Sequence, residues 1–307
     1  MPAVSLQGIT KQYGSQKAVN NLTLDVAEGE TLGFLGLNGA GKTTTIRILL
    51  DLLRPTSGTA SIFGHDCQTD GLRARSKIGY LPGEMGIFSD LTGHAVLDLL
   101  AGLNTTPVDR RLRRELQERL QLPDPDLRRK LREFSTGMKR KLGLIQAFEG
   151  DPPLLILDEP TEGLDPLMQE AFYSLLADVK RRGRTVFMSS HVMSEVDRVC
   201  DRIALLRKGE LVLLSTVEES RHRAARRVRV WFGADVDRPP PLPAGNEVVQ
   251  SSPREWTLNV EGLLGPLLSA LANLPVKDLE IEEPKLEQVV LKYYRGTSEK
   301  TGEGAGE

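Results

Sequence analysis

Short apolar runs alternate with glycine turns and helix-patterned stretches through much of the chain. Glu30-Thr31-Leu32-Gly33-Phe34-Leu35 and Leu154-Leu155-Ile156-Leu157 are two such runs. Segments this short, without polar alternation, predict parallel strands covered on both faces. Ile78-Gly79-Tyr80-Leu81-Pro82 predicts another strand, and His191 follows a further one. Residues 44–53 predict a helix that Pro55 stops, because proline pushes the residue ahead of it out of the helical region. A second helix is expected from Ser135 through Phe148, with the serine hydroxyl as N-cap. Residues 87–150 read as mainly helical. Leu112, Leu116 and Leu120 share one helix face there, while Arg110, Arg111, Arg113, Arg114 and Arg119 form the other, expected to be solvated. Strands alternating with helices predict an α/β fold.

Past residue 216 the pattern changes. Arg227 to Phe232 alternates basic residues with Val228, Val230 and Phe232, and Glu255 to Val260 alternates around Trp256 and Leu258. Both predict half-buried strands. Arg238-Pro239-Pro240-Pro241-Leu242-Pro243 can form neither strand nor helix and is read as a rigid hairpin connector between them. A helix near residues 263–274, a strand at 276–281 and a closing helix at 285–294 complete an α+β unit, the last with Leu286, Val289, Val290 and Tyr293 on one face. The basic stretch 221–229 reads as a solvated strand edge, and the glycine- and glutamate-rich residues 296–307 as a disordered tail.

Chemistry enters with Gly36-Leu37-Asn38-Gly39-Ala40-Gly41-Lys42-Thr43, which fits G-x-x-x-x-G-K-[ST] at every fixed position. It lies between a predicted strand and a predicted helix, the context the motif requires. Glycines let the backbone wrap phosphate oxygens, so main-chain N–H groups and the positive helix end point at the anion. Lys42 is expected to reach the terminal phosphates of a nucleoside triphosphate, and the Thr43 hydroxyl to sit on magnesium. Asp158-Glu159 closes the second apolar run at the sheet edge where α/β ligands bind. Successive strand side chains diverge, so Asp158 is expected in the magnesium shell and Glu159 as general base toward water.

The order of motifs resembles that of ABC transporter ATP-binding subunits from about residue 3 to residue 215. It runs from the phosphate loop through Phe134-Ser135-Thr136-Gly137-Met138 and Asp158-Glu159-Pro160 to Gly163-Leu164-Asp165 and His191. The resemblance implies a P-loop NTPase core with a RecA-like sheet, an antiparallel β part and a helical insert, followed by a small α+β accessory domain. The implied divisions are 1–216 for the ATPase, with a helical subdomain at about 87–150, then 217–295 for the accessory domain and 296–307 for the tail. It implies ATP with Mg2+, cradled by Gly36, Asn38, Gly39, Ala40, Gly41, Lys42, Thr43 and Thr44. Tyr13 matches the aromatic that stacks on adenine. Ser135 and Gly137 match the signature that closes over the γ-phosphate of the other subunit, Asp165 the loop linking the two sites, and His191 a histidine that contacts the γ-phosphate. A homodimer, or a heterodimer with a similar ATPase, follows, as does a separate transmembrane permease subunit gripped by the helical insert and the loop at 82–92. The end of the chain, Glu283-Pro284 through Tyr293-Tyr294, resembles drug-exporter-type members.

The sequence also departs from that pattern. Gly83 stands where most members carry a glutamine that helps order magnesium and water, and Glu84 follows it as a candidate magnesium ligand. Glu162 replaces a serine before the aspartate loop.

Composition narrows the alternatives. The 307 residues, with 39% hydrophobic content, suffice for an α/β core and a second domain. A formal charge of −2 gives no reason to expect nucleic-acid binding. No apolar run approaches the ~20 residues needed to span a bilayer, and no secretory signal is expected. Cys67 and Cys200 lack metal or redox spacing, which suits a reducing cytosol; the resemblance implies a place on the cytoplasmic face of the cell membrane, peripheral through the permease. His65, His94 and His222 have no motif around them. A DNA-maintenance ATPase of condensin type needs long heptad repeats, absent between residues 43 and 134, and an ABC-type translation factor carries two such cores where this chain has one.

Overall fold

The apolar runs become central strands of a six-stranded sheet in the computed structural model, which describes the chain except residues 85–87, 104–107, 224–225, 237–241, 283–285 and 296–307. The chain divides into two compact units, the first Met1–Leu214 and the second beginning at Ser215.

In the first unit the elements are β1 Pro2–Tyr13, β2 Gln16–Ala27, β3 Thr31–Leu35, α1 Lys42–Leu49, β4 Ser57–Ile62, β5 His65–Asp66, α2 Gly71–Arg75, β6 Ile78–Leu81, α3 Gly93–Ala101, α4 Arg110–Arg119 and α5 Asp124–Leu127. A 3-10 turn at Leu131–Glu133 leads into α6 Thr136–Phe148, β7 Leu154–Asp158, α7 Pro166–Arg181, β8 Thr185–Ser190, α8 Met193–Val199, β9 Arg202–Arg207 and β10 Glu210–Thr216. One sheet runs β2-β1-β4-β5, the other β10-β9-β3-β8-β7-β6. In the larger sheet β9, β3, β8, β7 and β6 are parallel neighbours. Their C-terminal ends therefore lie along one edge, which is where Gly36, Asp158 and His191 follow. Every residue of β3, β7 and β8 is buried, as expected for strands covered on both faces.

The α1 helix differs from expectation at both ends. It begins at Lys42, because Gly41, at φ 110°, turns the chain directly into it. It ends at Leu49, well before Pro55: Asp51 takes a left-handed φ of 56°, and the amides of Leu52 and Leu53 donate back to the Arg47 carbonyl at 2.9 and 3.1 Å. The backbone caps the helix, and proline plays no part.

The arginine face of α4 is not uniformly solvated. Arg119 bonds Asp178 on α7 at 2.6 Å. Arg113 turns inward, donating from Nε to Glu149 Oε2 at 2.6 Å and from Nη1 to Asp98 at 2.5 Å. Glu149, just past α6, is 1% exposed, and its Oε1 has no hydrogen-bond partner. Burial pushes its carboxyl up to about 7, although Arg113 pulls it the other way. The folded chain then holds this proton more tightly than the unfolded chain, so the stability it contributes is full below pH 4.5 and is lost as pH rises through 7. In thermal melts, the Tm of Glu149→Gln relative to wild type is expected to rise by roughly 5 °C between acid and mildly alkaline buffer. A difference that stays flat across that range would contradict this account.

The second unit contains α9 Val217–Arg223, β11 Arg226–Phe232, β12 Asn246–Ser252, β13 Glu255–Val260, α10 Gly265–Leu271, β14 Val276–Ile281 and α11 Leu286–Arg295. Its sheet runs β12-β13-β11-β14 over a core of Val228, Val230, Phe232, Trp256, Leu258 and Val260. Phe232 and Trp256 meet edge to face at 4.5 Å. The sequence reading lacked β12. The hairpin is β12–β13, so the proline-bearing connector joins β11 to an edge strand instead of linking β11 to β13 directly. The connector prolines Pro239, Pro240 and Pro241, the tail 296–307, Glu283-Pro284 and residues 85–87 of the 82–92 loop lie outside the described residues.

Candidate active site

The phosphate loop is held by contacts that only glycine permits. A Cβ on Gly36 would lie 2.8 Å from the Leu206 carbonyl, and one on Gly41 2.6 Å from that of Ala18. Gly39 and Gly41 have φ of 79° and 110°, a region costly for other residues. Gly209 N donates to the Ala40 carbonyl at 3.0 Å, fixing the loop to the β9–β10 turn. Asn38, Gly39 and Thr43 are exposed and Thr44 half-buried, so the loop's outer rim is open to a ligand. Lys42 folds back over the loop. The side chain is 6% exposed, and its Nζ donates to the Gly36 carbonyl at 2.5 Å and lies 3.2 Å from Glu159 Oε1.

Asp158 ends β7, 3% exposed, and accepts from Ser189 Oγ at 2.5 Å. Glu159 follows with φ 50°, strained for a non-glycine residue, and this turn swings its side chain off the strand line. Its amide donates to the same Ser189 Oγ at 3.1 Å. The Glu159 carboxylate sits between two partners, Lys42 on one oxygen and His191 Nδ1 on the other at 2.8 Å. The turn carrying His191 is braced by Ser190, whose hydroxyl donates to the buried Glu195 at 2.9 Å and accepts from Val192 N at 2.9 Å; Glu195 also accepts from Thr161.

A cleft of about 810 Å3 gathers Thr43, Glu84, Asp158 and Glu159, with Tyr80 and Gly83 on its wall. Glu84 is exposed there. The Tyr80 hydroxyl is pushed up to about 12 by burial and then by the charge of Asp158, so it stays a donor at neutral pH. The other expected residues stand elsewhere. Ser135 caps α6, accepting from Met138 N at 3.2 Å. Gly137 packs so that a Cβ would meet the Gly163 carbonyl at 2.9 Å, and Asp165 caps α7 through Met168 N at 3.0 Å. Tyr13, at the end of β1, is 53% exposed with Lys11 Nζ 5.1 Å from its ring centre. Within one chain, then, none of Tyr13, Ser135, Gly137 and Asp165 lines the cleft.

The donor set fits magnesium bound together with a phosphate ligand. Thr43 and Asp158 offer oxygen ligands in the cleft, with Glu84 beside them, and among the described residues no group of His, Cys, Asp and Glu side chains could hold a metal by itself. Magnesium suits such a partial set, because it takes one or two protein oxygens and completes its octahedron with phosphate and water. Ser189, Tyr80 and Arg140 escaped the sequence reading. The one available signal was the polar pair Ser189-Ser190 at the end of an otherwise apolar strand, just ahead of His191.

The ABC transporter family pattern matches residues 19–162. The bacitracin transport ATP-binding protein BcrA of Bacillus licheniformis is 39% identical over 210 residues, covering 66% of this chain and 66% of that protein. The daunorubicin resistance ATP-binding protein DrrA3 of Streptomyces coeruleorubidus is 36% identical over 219 residues, covering 71% of this chain and 69% of that protein. The chain thus spans just under two thirds of the length of BcrA and slightly more of DrrA3. Among solved structures, the dimeric structure of MJ0796, a bacterial ABC transporter cassette, is similar at a TM-score of 0.64 and 25% identity, covering 70% of this chain and 98% of that one.

Proposed function

The chain belongs to the ABC transporter family, and from that premise we propose that it is an ATP-hydrolysing subunit that powers an exporter through a separate transmembrane permease. The observation that carries the catalytic part is the Glu159 carboxylate held between Lys42 and His191 at the rim of the phosphate loop. Export is favoured by the small second unit and by the antibiotic-linked names of BcrA and DrrA3. The proposed divisions are an ATPase domain at 1–216, with its helical part at about 87–150, an accessory domain at 217–295 and a tail at 296–307. No helix among the described residues is long and apolar enough to cross a membrane, so attachment to the cytoplasmic face would come through the permease. Nucleic acid has no place in this reading.

Each residue's work follows from its position. The loop amides from Gly36 to Thr44 and the positive end of α1 bind the phosphates, while Tyr13 offers an exposed ring to the adenine. Lys42 leaves Glu159 for the terminal phosphate, which frees the carboxylate to accept a proton from water. His191 keeps Glu159 oriented through Nδ1 and presents its ring edge to the γ-phosphate. Thr43 and Asp158 would hold magnesium, with Glu84 replacing the missing glutamine side chain; the bound cation would supply charge neutralisation on the phosphate oxygens. Ser135, Gly137 and Asp165 do not line the cleft of their own chain, which suits a composite site in which the α6 N-terminus of a second subunit closes over the nucleotide. A two-fold dimer results, with ATP holding it together.

Titrating ATPase rate against magnesium tests the site. In Glu84→Ala the magnesium needed for half-maximal rate is expected to rise by about 10-fold, the cost of one hydrogen-bond-scale contact to a charged group, and Gly83→Gln is expected to lower it. An unchanged titration in Glu84→Ala would remove that residue from catalysis, and a loss confined to permease-coupled activity would make it a contact residue.

A further inference from the structure

Arg140 sits in the second turn of α6, is 5% exposed, and lines the cleft. Its guanidinium donates to the carbonyls of Pro82 at 2.9 Å and Gly83 at 2.8 Å, to that of Asp158 at 3.4 Å, and to that of Glu162 at 3.2 Å. These carbonyls belong to separate segments: the loop after β6, the last residue of β7, and the turn that leads to α7. One side chain therefore ties the cleft's floor to both of its rims. The planar fork of arginine suits this, since it offers several N–H donors in fixed directions, whereas a lysine ammonium is a point charge that cannot span them. Glu162 Oε2, 3.8 Å away, is its nearest counter-charge.

Arg140 holds the start of this loop through its backbone, at the carbonyls of Pro82 and Gly83. Gly83 carries no side chain, yet an added Cβ there would lie 3.4 Å from Asp158 Oδ2. The backbone at 83 thus abuts the carboxylate assigned to the cation, and its position is set through its own carbonyl, the one Arg140 holds most closely. A shift of this loop would move the cleft wall beside Asp158, whereas the glycines of the phosphate loop pack elsewhere, Gly36 against Leu206 of β9 and Gly41 against Ala18 of β2.

We propose that Arg140 is a positioning residue for ATP hydrolysis: by binding the carbonyls of Pro82, Gly83, Asp158 and Glu162 together, it sets the distance between the glycine-bearing loop and the Asp158-Glu159 edge. The proposal rests on the reading of this cleft as an ATPase site. It makes the chemical step, and not nucleotide affinity, depend on a side chain buried behind the acids.

Arg140→Lys keeps the charge and loses the fork, and Arg140→Gln removes both. For Arg140→Lys we expect kcat to fall by ~10- to 100-fold, the scale of a misplaced catalytic group, with KM for ATP and the Kd of a fluorescent non-hydrolysable ATP analogue within about threefold of wild type. Amide hydrogen exchange is expected to rise in the peptide covering residues 80–84 and to stay unchanged across β3. Wild-type kcat and unchanged exchange at 80–84 would overturn the proposal. Equal losses in kcat and analogue affinity, or failure of both variants to fold, would also overturn it by making Arg140 a general structural support. Wild-type turnover and its loss in Glu159→Gln are measured alongside. If wild type itself does not hydrolyse ATP, the ATPase reading fails, while the exchange experiment still decides whether Arg140 fixes the loop.

Discussion

Glu159→Gln is expected to lower ATP turnover by about 100-fold or more, the usual cost of removing a general base, while ATP affinity stays at or above that of wild type. The substitution preserves the shape of a side chain already held in place by Lys42 at 3.2 Å and His191 at 2.8 Å. What it removes is the ability to accept a proton. Affinity follows from the same geometry. Lys42 is partly neutralised by Glu159, 3.2 Å away, and phosphates must compete for it. A neutral glutamine relaxes that competition and also removes a negative charge facing the phosphates. Turnover measured with saturating magnesium and ATP, beside the Kd for ATP, checks both halves. Turnover close to wild type would remove Glu159 from the role of base.

Lys42→Ala is expected to act on binding. The Lys42 side chain is 6% exposed and its ammonium aims back over the glycine loop. Its loss deletes a charge-assisted contact of about 1.5–3 kcal/mol, or ~10- to 150-fold in Kd. A second effect has the same sign: Glu159 loses its cationic partner from the loop and faces the phosphates less well compensated. Calorimetric titration with ATP and magnesium should therefore show at least ~10-fold weaker binding. An unchanged Kd would mean the loop's amides bind the phosphates without the lysine, and the account of Lys42 as a phosphate ligand would fail.

The parts legible in the sequence are those whose chemistry is local. The glycine loop declares itself because left-handed φ values and close backbone approach admit few other residues at Gly36, Gly39 and Gly41. The strands β3 and β7 are visible because burial on both faces leaves no room for polar alternation. Ser135 was readable as a cap because a helix start needs a side-chain acceptor within a few residues. The remainder depends on residues far apart in the chain. Ser189 reaches Asp158 and Glu159 across the β7–β8 pairing, and Arg140 binds Pro82 and Gly83 across the helical part. Neither carries a pattern in its own neighbourhood. The inward turn of Arg113 was hidden for the same reason, since its partners are Asp98 on α3 and Glu149 just past α6. The edge strand β12 was missed because its burial is slight and its sequence, Asn246 to Ser252, is mostly polar. An edge strand is specified largely by backbone pairing with its neighbour, which leaves little trace in side-chain alternation.

The central claim is that ATP bound to this chain is the joint of a two-fold dimer, with Glu159 ending its lifetime. Light scattering on Glu159→Gln, with and without ATP, measures this directly, because that variant binds nucleotide but cannot discharge it. The account predicts a mass near that of the 33.9 kDa chain without nucleotide and about twice that mass with ATP and magnesium, reverting to the single-chain value when Ser135 is also replaced by arginine. A mass that stays at the single-chain value while ATP binding is saturated would contradict it.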